Sequence, residues 1–173
     1  TGRINSKTKK YLEIVKQDCR RFSGLINDLL DMAKLEAGSF PIYRKIINPF
    51  EIFSEVVNKY QSQAQQKSIQ LVLQKNDGIS DIHADPGRIQ QVLHHLLSNA
   101  INHTSQDGTI VVRCFDRKNE VVTVVEDNGV GISQSLQGQI FTKFYQIGRQ
   151  AGPGFKGSGL GLSICHGIIK AHG

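Results

Sequence analysis

Apolar residues near the start of the chain recur at helical spacing, with no proline to break them. Val15, Phe22 and Leu29 share one row of seven-residue spacing, and Tyr11, Leu25 and Met32 the next. Leu12, Cys19, Ile26 and Ala33 widen the stripe. The pattern predicts one helix over residues 6–37, capped by Ser6 and ended by Gly38. Three apolar positions in seven make a face too broad for a two-stranded seam, and they suit a four-helix bundle. One helix cannot bury such a face alone.

The pattern then becomes mixed. FPIYRKII (40–47) reads as a strand, and Asn48-Pro49 as a cap with proline at the first helical position. An amphipathic helix follows over 49–67, and IQLVL (69–73) is a strand. Asp85-Pro86 opens a helix to about Thr104, with Val92, Leu93, Leu96, Leu97, Ala100 and Ile101 as its apolar stripe. GTIVVRCF and EVVTVVED, joined by a polar turn at 116–119, read as a hairpin whose second strand is buried as a central element. A short helix near 134–140 and a last helix from about Gly159 complete the series. The predicted fold class is α+β, a two-layer sandwich with a mixed, largely antiparallel sheet, preceded by the long helix.

Composition narrows the class. At 173 residues, 39% hydrophobic and 21% charged, the chain can bury one real core and a smaller element. No apolar run approaches the roughly 18 residues of a membrane span, and no signal peptide opens the chain. Cys19, Cys114 and Cys165 are odd in number and lack metal-ligand spacing, so they read as small apolar residues in a reducing, cytoplasmic setting. The net charge of +6 gathers partly on the first helix, at Lys7, Lys9, Lys10, Arg20 and Arg21. No aromatic platform interleaves with these residues, so they read as a solvated face and nucleic acid is not the expected partner.

Four segments carry chemistry: HHLLSNAINHT (94–104), DNGVGI (127–132), FTKFYQ (141–146) and GSGLGLSI (157–164). His95, Asn99 and Asn102 or His103 form one polar row opposite the apolar stripe of their helix. Asp127 ends a strand, and Gly129 and Gly131 let the backbone approach a flat ligand. Phe141 and Phe144 are apolar anchors around Lys143. Residues 147–156, rich in Gly and Pro, suggest a lid. Gly157, Gly159 and Gly161 offer backbone N–H groups at a helix start, where partial positive charge attracts phosphate, while Leu160 and Leu162 turn inward. No Gly-Lys-Ser/Thr triplet ends the motif, so it is not a P-loop. Together the four describe a nucleotide pocket.

In this order they resemble the ATP-binding domain of sensor histidine kinases, whose Bergerat-type fold is shared with Hsp90, DNA gyrase and MutL. LINDLLDMAKLEAGSF (25–40) resembles the second helix of the kinases' dimerisation and phosphotransfer hairpin, which the other three lack. The resemblance implies two units, residues 1–38 from that hairpin and 39–173 as the ATP-binding domain. It implies ATP and Mg²⁺ as cofactors, with Asn99 on the metal. Asp127, Gly129, Gly131 and Ile132 would surround the adenine. Asn102, His103, Lys143, Phe144, Gly157, Ser158, Gly159, Leu160, Gly161 and Leu162 would complete the nucleotide site.

The family usually has asparagine where this chain has His95, which is the candidate catalytic residue. The phosphoacceptor histidine would lie on a preceding helix, in a His-Glu-Leu-Arg-Thr-Pro-like segment that does not occur here, and two further strands would follow AHG. The expected activity is transfer of the γ-phosphoryl of ATP to such a histidine, then relay to the aspartate of a response-regulator receiver domain. By itself the chain would be inactive in autophosphorylation. The partners implied are that receiver domain and a second copy of the chain through the first helix. The parent could be anchored in a membrane, with the chain itself cytoplasmic. The alternative is a degenerate, non-catalytic nucleotide-binding or dimerisation module.

Overall fold

The computed structural model describes residues 5–74, 78–147 and 157–173. Helix α1 (Ser6–Glu36) is capped by Asn5, not Ser6: the Asn5 side chain accepts from the Thr8 N–H at 2.8 Å. Strand β1 is only Lys45–Ile47, shorter than the expected 40–47, because it pairs with a strand of equal length, β3 (Ile82–Ala84). Three residues carry too little alternation for β3 to announce itself in the sequence. Between them lie α2 (Pro49–Gln66), capped by Asn48 as expected, and β2 (Gln70–Gln74). Helix α3 (Pro86–His103), strands β4 (Thr109–Arg117) and β5 (Glu120–Asp127), the single turn α4 (Gln134–Gln137) and helix α5 (Gly161–Ala171) complete the chain.

The main sheet has the order β2-β4-β5, with β2 parallel to β4 and β4 antiparallel to β5. The sheet is therefore mixed, as expected. The central strand among the described residues is β4, whereas β5 lies at the edge and is half-buried over Val121–Val125. This corrects the expectation of a central β5: a run of valines fits a half-covered strand as well as a fully covered one.

Alternation along β4 buries Ile110, Val112 and Cys114 beneath α2 and α3. Helix α2 contributes Ile52, Phe53, Val56 and Val57, and α3 contributes Leu93, Leu97, Ala100 and Ile101. A second, smaller core joins Met32 of α1 to Leu160, Ile164 and Ile168, with Phe40 and Val92 at its margin. Met32 therefore leaves the bundle row assigned to it and packs within its own chain. Val92 likewise faces α5 instead of the sheet. The rest of the α1 stripe is bare: Val15, Phe22 and Leu29 are each more than half exposed.

Asp85 fastens the layers together. Its carboxylate caps α3 through the Arg88 N–H (3.1 Å) and accepts from the Tyr43 N–H (2.8 Å), while its own N–H donates to His172 Nε2 (3.0 Å). Burial would raise its pKa, but these backbone donors and the Arg88 charge outweigh burial and lower it. Leu97 is fully buried between α2 and the sheet. Leu97→Ala should cost about 2–5 kcal/mol, read as a lower urea midpoint at unchanged slope.

Candidate functional site

The motif residues gather at two places along α3, its C-terminal end and the middle of the helix around His95. At its C-terminal end, the His103 carbonyl accepts from the Val130 N–H at 3.3 Å, and the Thr109 carbonyl accepts from the Asn128 N–H at 3.3 Å. The Asp127 carboxylate accepts from the Gly129 N–H at 2.9 Å, which folds residues 127–129 into a tight turn. A Cβ at Gly129 would lie 2.3 Å from the His103 carbonyl oxygen, so only glycine lets this turn meet the helix end. Asp127 and Ile132 are exposed, and Gly131 has open space around it.

The second place is built from the middle of α3 and the start of α5. Gly159 (φ +70°) packs directly on Phe144, where a Cβ would come within 2.8 Å of the Phe144 Cα. The Phe144 N–H donates to the Gly159 carbonyl (2.9 Å), and Gln146 Nε2 to the Gly157 carbonyl (2.9 Å). Phe144 itself sits at φ +60°, a conformation costing about 1–3 kcal/mol that its neighbours must hold in place. Leu160 is buried, whereas Leu162 is only partly so. Helix α5 begins at Gly161, two residues later than expected. Of the expected lid, residues 148–156 lie outside the described residues.

Asn99 stands on α3 four residues after His95 and four before His103, one turn from each end of the site. It is half-buried, and no hydrogen bond engages its amide among the described residues. The described residues contain no group of three or more His, Cys, Asp or Glu able to hold a metal. A neutral amide oxygen without a protein cage suits Mg²⁺ that keeps several waters and arrives with phosphate. The donor set therefore fits nucleotide and magnesium together better than a resident metal. Burial pushes the Cys165 thiol up to about 12; Cys114 and Cys165 are buried, whereas Cys19 is exposed on α1. A shallow concavity flanked by Gln61, Ser68 and Leu71 lies between α2 and β2 and includes none of the motif residues.

Residues absent from the sequence-based site complete it from α1. His95 Nε2 lies 3.6 Å from Asp28 Oδ1 and has no hydrogen-bond partner among the described residues. Its ring rests on Gly161, where a Cβ would be 3.0 Å from Nδ1. Asp31 accepts from Arg88 Nη1 (3.1 Å) and Gln91 Nε2 (2.8 Å), and the Arg88 guanidinium lies 4.1 Å above the Phe40 ring. Lys143 is paired with Glu36 at the end of α1. The only forewarning was spacing: Asp28, Asp31 and Glu36 return at intervals that share a helix face with Met32 and Leu35.

Burial lowers the His95 pKa, although Asp28 and Asp31 pull it upward. Burial raises that of Asp28, opposed by His95 and the Ser158 hydroxyl and reinforced by Asp31. For His95 the unfolded imidazole binds the proton more readily, so stability falls as pH drops through its ordinary range near about 6.5. The Asp28 shift acts in the opposite sense at lower pH. His94, lowered by burial and by Lys59, adds to the neutral-pH slope. His95→Gln should therefore flatten, without abolishing, the loss of urea stability between about pH 8 and pH 5.5.

Residues 84–173 match the family of histidine kinase-, DNA gyrase B-, and HSP90-like ATPases. The circadian input-output histidine kinase CikA of Synechococcus elongatus is 31% identical over 99% of this chain, which spans 23% of CikA. The virulence sensor protein BvgS of Bordetella pertussis is 36% identical over 95% of the chain, which spans 14% of BvgS. The chain thus covers a quarter or less of these relatives' length. Among solved structures, the catalytic domain of histidine kinase ThkA is similar at 30% identity and a TM-score of 0.62, over 75% of this chain and 82% of that one. ThkA in complex with the response regulator TrrA is similar at 25% identity and a TM-score of 0.71, over 98% of this chain and 46% of that one. The fold also matches full-length ShkA in complex with AMPPNP, at a TM-score of 0.82 and 23% identity over 98% of this chain and 35% of ShkA. CikA and ThkA are histidine kinases, and the match over residues 84–173 covers more than half the chain: it belongs to the histidine kinase-, DNA gyrase B-, and HSP90-like ATPase family.

Proposed function

We propose that this chain is the ATP-binding part of a sensor histidine kinase, together with one helix of its dimerisation hairpin. The observation that carries this reading is the grouping of the motif residues along the second half of one helix, around His95 and at the His103 end, with Asn99 between them. Asp127 would accept from the adenine amino group, with Gly129, Gly131 and Ile132 beside the base. Asn102 and His103 would line the helix end, and Lys143, Phe144, Ser158 and Leu162 the rim. Backbone N–H groups at Gly157–Gly161 would face phosphate. Asn99 would hold Mg²⁺, which offsets phosphate charge when bound with the nucleotide.

Phosphoryl transfer is largely positioning and charge stabilisation around an in-line nucleophile. The acceptor would be a histidine on a partner helix, and the chain alone would not autophosphorylate. A response-regulator aspartate would receive the phosphoryl group next, a reading supported by the ThkA–TrrA likeness. No described helix is long and apolar enough to cross a membrane. The alternative, a non-catalytic nucleotide-binding or dimerisation module, draws on the engagement of His95 by Asp28.

Two experiments test the assignments. Asp127→Asn replaces a charged acceptor, worth roughly 1.5–3 kcal/mol, and should weaken ATP binding by about tenfold or more in calorimetry. Asn99→Ala should remove most of the difference in affinity between magnesium and chelator. Equal ATP affinity in Asp127→Asn, or full magnesium dependence in Asn99→Ala, would refute that residue's role.

The exposed α1 stripe would be covered by a second copy. Phe22→Glu with Leu29→Glu places two charges on that seam, which a packed interface cannot accept. Sedimentation should show a dimer for the parent and a monomer for the double variant, and a dimer unaffected by the change refutes the seam.

A further inference from the structure

Two of the residues read as part of the site already face carboxylates. Lys143 is paired with Glu36, and His95 faces Asp28. All the acids belong to the last three turns of α1. Asp31 lies between them, held through one oxygen by Arg88 and Gln91. An apolar contact holds the same face: Leu35 packs so close to Gly167 that a Cβ there would lie 2.7 Å from Leu35 Cδ1. Met32 is buried beside it, with Ser163 Oγ 3.6 Å from its sulfur.

A carboxylate at the start of α5 presents the charge and acceptor oxygens that a phosphate would present there. Asp28 faces His95, whose ring rests on Gly161 of the glycine-rich start, and Glu36 takes Lys143. A phosphate chain approaching these groups meets like charge from Asp28 and must compete for Lys143. Both carboxylates leave when α1 leaves, because they ride on one rigid helix.

We infer that the acidic face of α1 is an intramolecular gate on the nucleotide site, so that docking of α1 and binding of nucleotide phosphates oppose each other. The inference rests on the nucleotide reading of residues 95–161. Linkage makes the effect reciprocal: whatever draws α1 off the domain tightens nucleotide binding, and nucleotide loosens α1 by the same factor.

Two variants release α1 by different means. Asp28→Asn with Glu36→Gln keeps shape and removes one mostly buried and one exposed charge. Gly167→Val leaves every charge in place and pushes against Leu35, away from the start of α5. Calorimetry of the full chain with magnesium and AMPPNP should show affinity rising by at least about fivefold, the low end of ordinary coupling, in both. Adenosine, which carries no phosphate, should bind the parent and the charge variant equally. Unchanged or weaker AMPPNP binding in the charge variant, or an equal gain for adenosine, overturns the gate while leaving the nucleotide site standing. A gain in the charge variant that a folded Gly167→Val does not share also overturns it, since the effect would then be charge alone and not docking. Failure of the parent and both variants to bind AMPPNP removes the nucleotide reading, and the gate with it.

Discussion

Helix α3 must be buried on two faces, and the rest of the molecule is arranged around that constraint. Leu93, Leu97, Ala100 and Ile101 bring one face against α2 and the sheet. Arg88, Gln91, Val92 and His95 turn the other toward α1 and α5. The first face is apolar and supplies most of the driving force, with each fully buried aliphatic side chain worth roughly 1.5–3 kcal/mol. The second is divided, with Val92 in the apolar core of α5 and Arg88, Gln91 and His95 set against the acids of α1. The polar part adds little net stabilisation, since buried charge pairs are repaid only in part for lost hydration. Apolar contacts thus fix the helix, and polar ones receive α1.

The unequal strength of the two faces also explains what could be read beforehand. The long helices and both strands of the hairpin follow from periodicity, and the caps at Asn48 and Asp85 from residue type. Strands β1 and β3 exist because each completes the other's hydrogen bonds, a fact that three residues cannot signal locally. The four motifs and their order were legible. The acids of α1 were not, because Asp28 and Asp31 look like any solvated helix position until the fold brings His95, Arg88 and Gln91 to them. Met32 was misplaced for a related reason: an apolar stripe says that a helix is covered, but not by which neighbour.

Phe144 carries a different cost. A phenylalanine at φ +60° is unfavourable, and here a glycine of the same handedness packs directly on its backbone. The strained residue and the glycine-rich start of α5 therefore share one geometry, and neither can relax without the other. Energy is stored where the proposed phosphate groove meets the aromatic segment, as is common at sites that must change shape.

The junction at Asp85 has a mechanical consequence. By binding the Arg88 and Tyr43 N–H groups and the His172 ring at once, it welds the start of α3, the segment leading into β1 and the end of α5 into one block. While its last turns are docked on that block through Met32 and Leu35, helix α1 behaves as a rod clamped at one end. Its free portion, Ser6 to Asn27, is about 33 Å long at 1.5 Å per residue. A tilt of about 5° at the clamp moves the far tip by roughly 3 Å on that length. Motions too small to disturb the packing around Met32 thus become a displacement the size of a side-chain contact at the other end, and a small push at the tip returns to the clamp with its force multiplied.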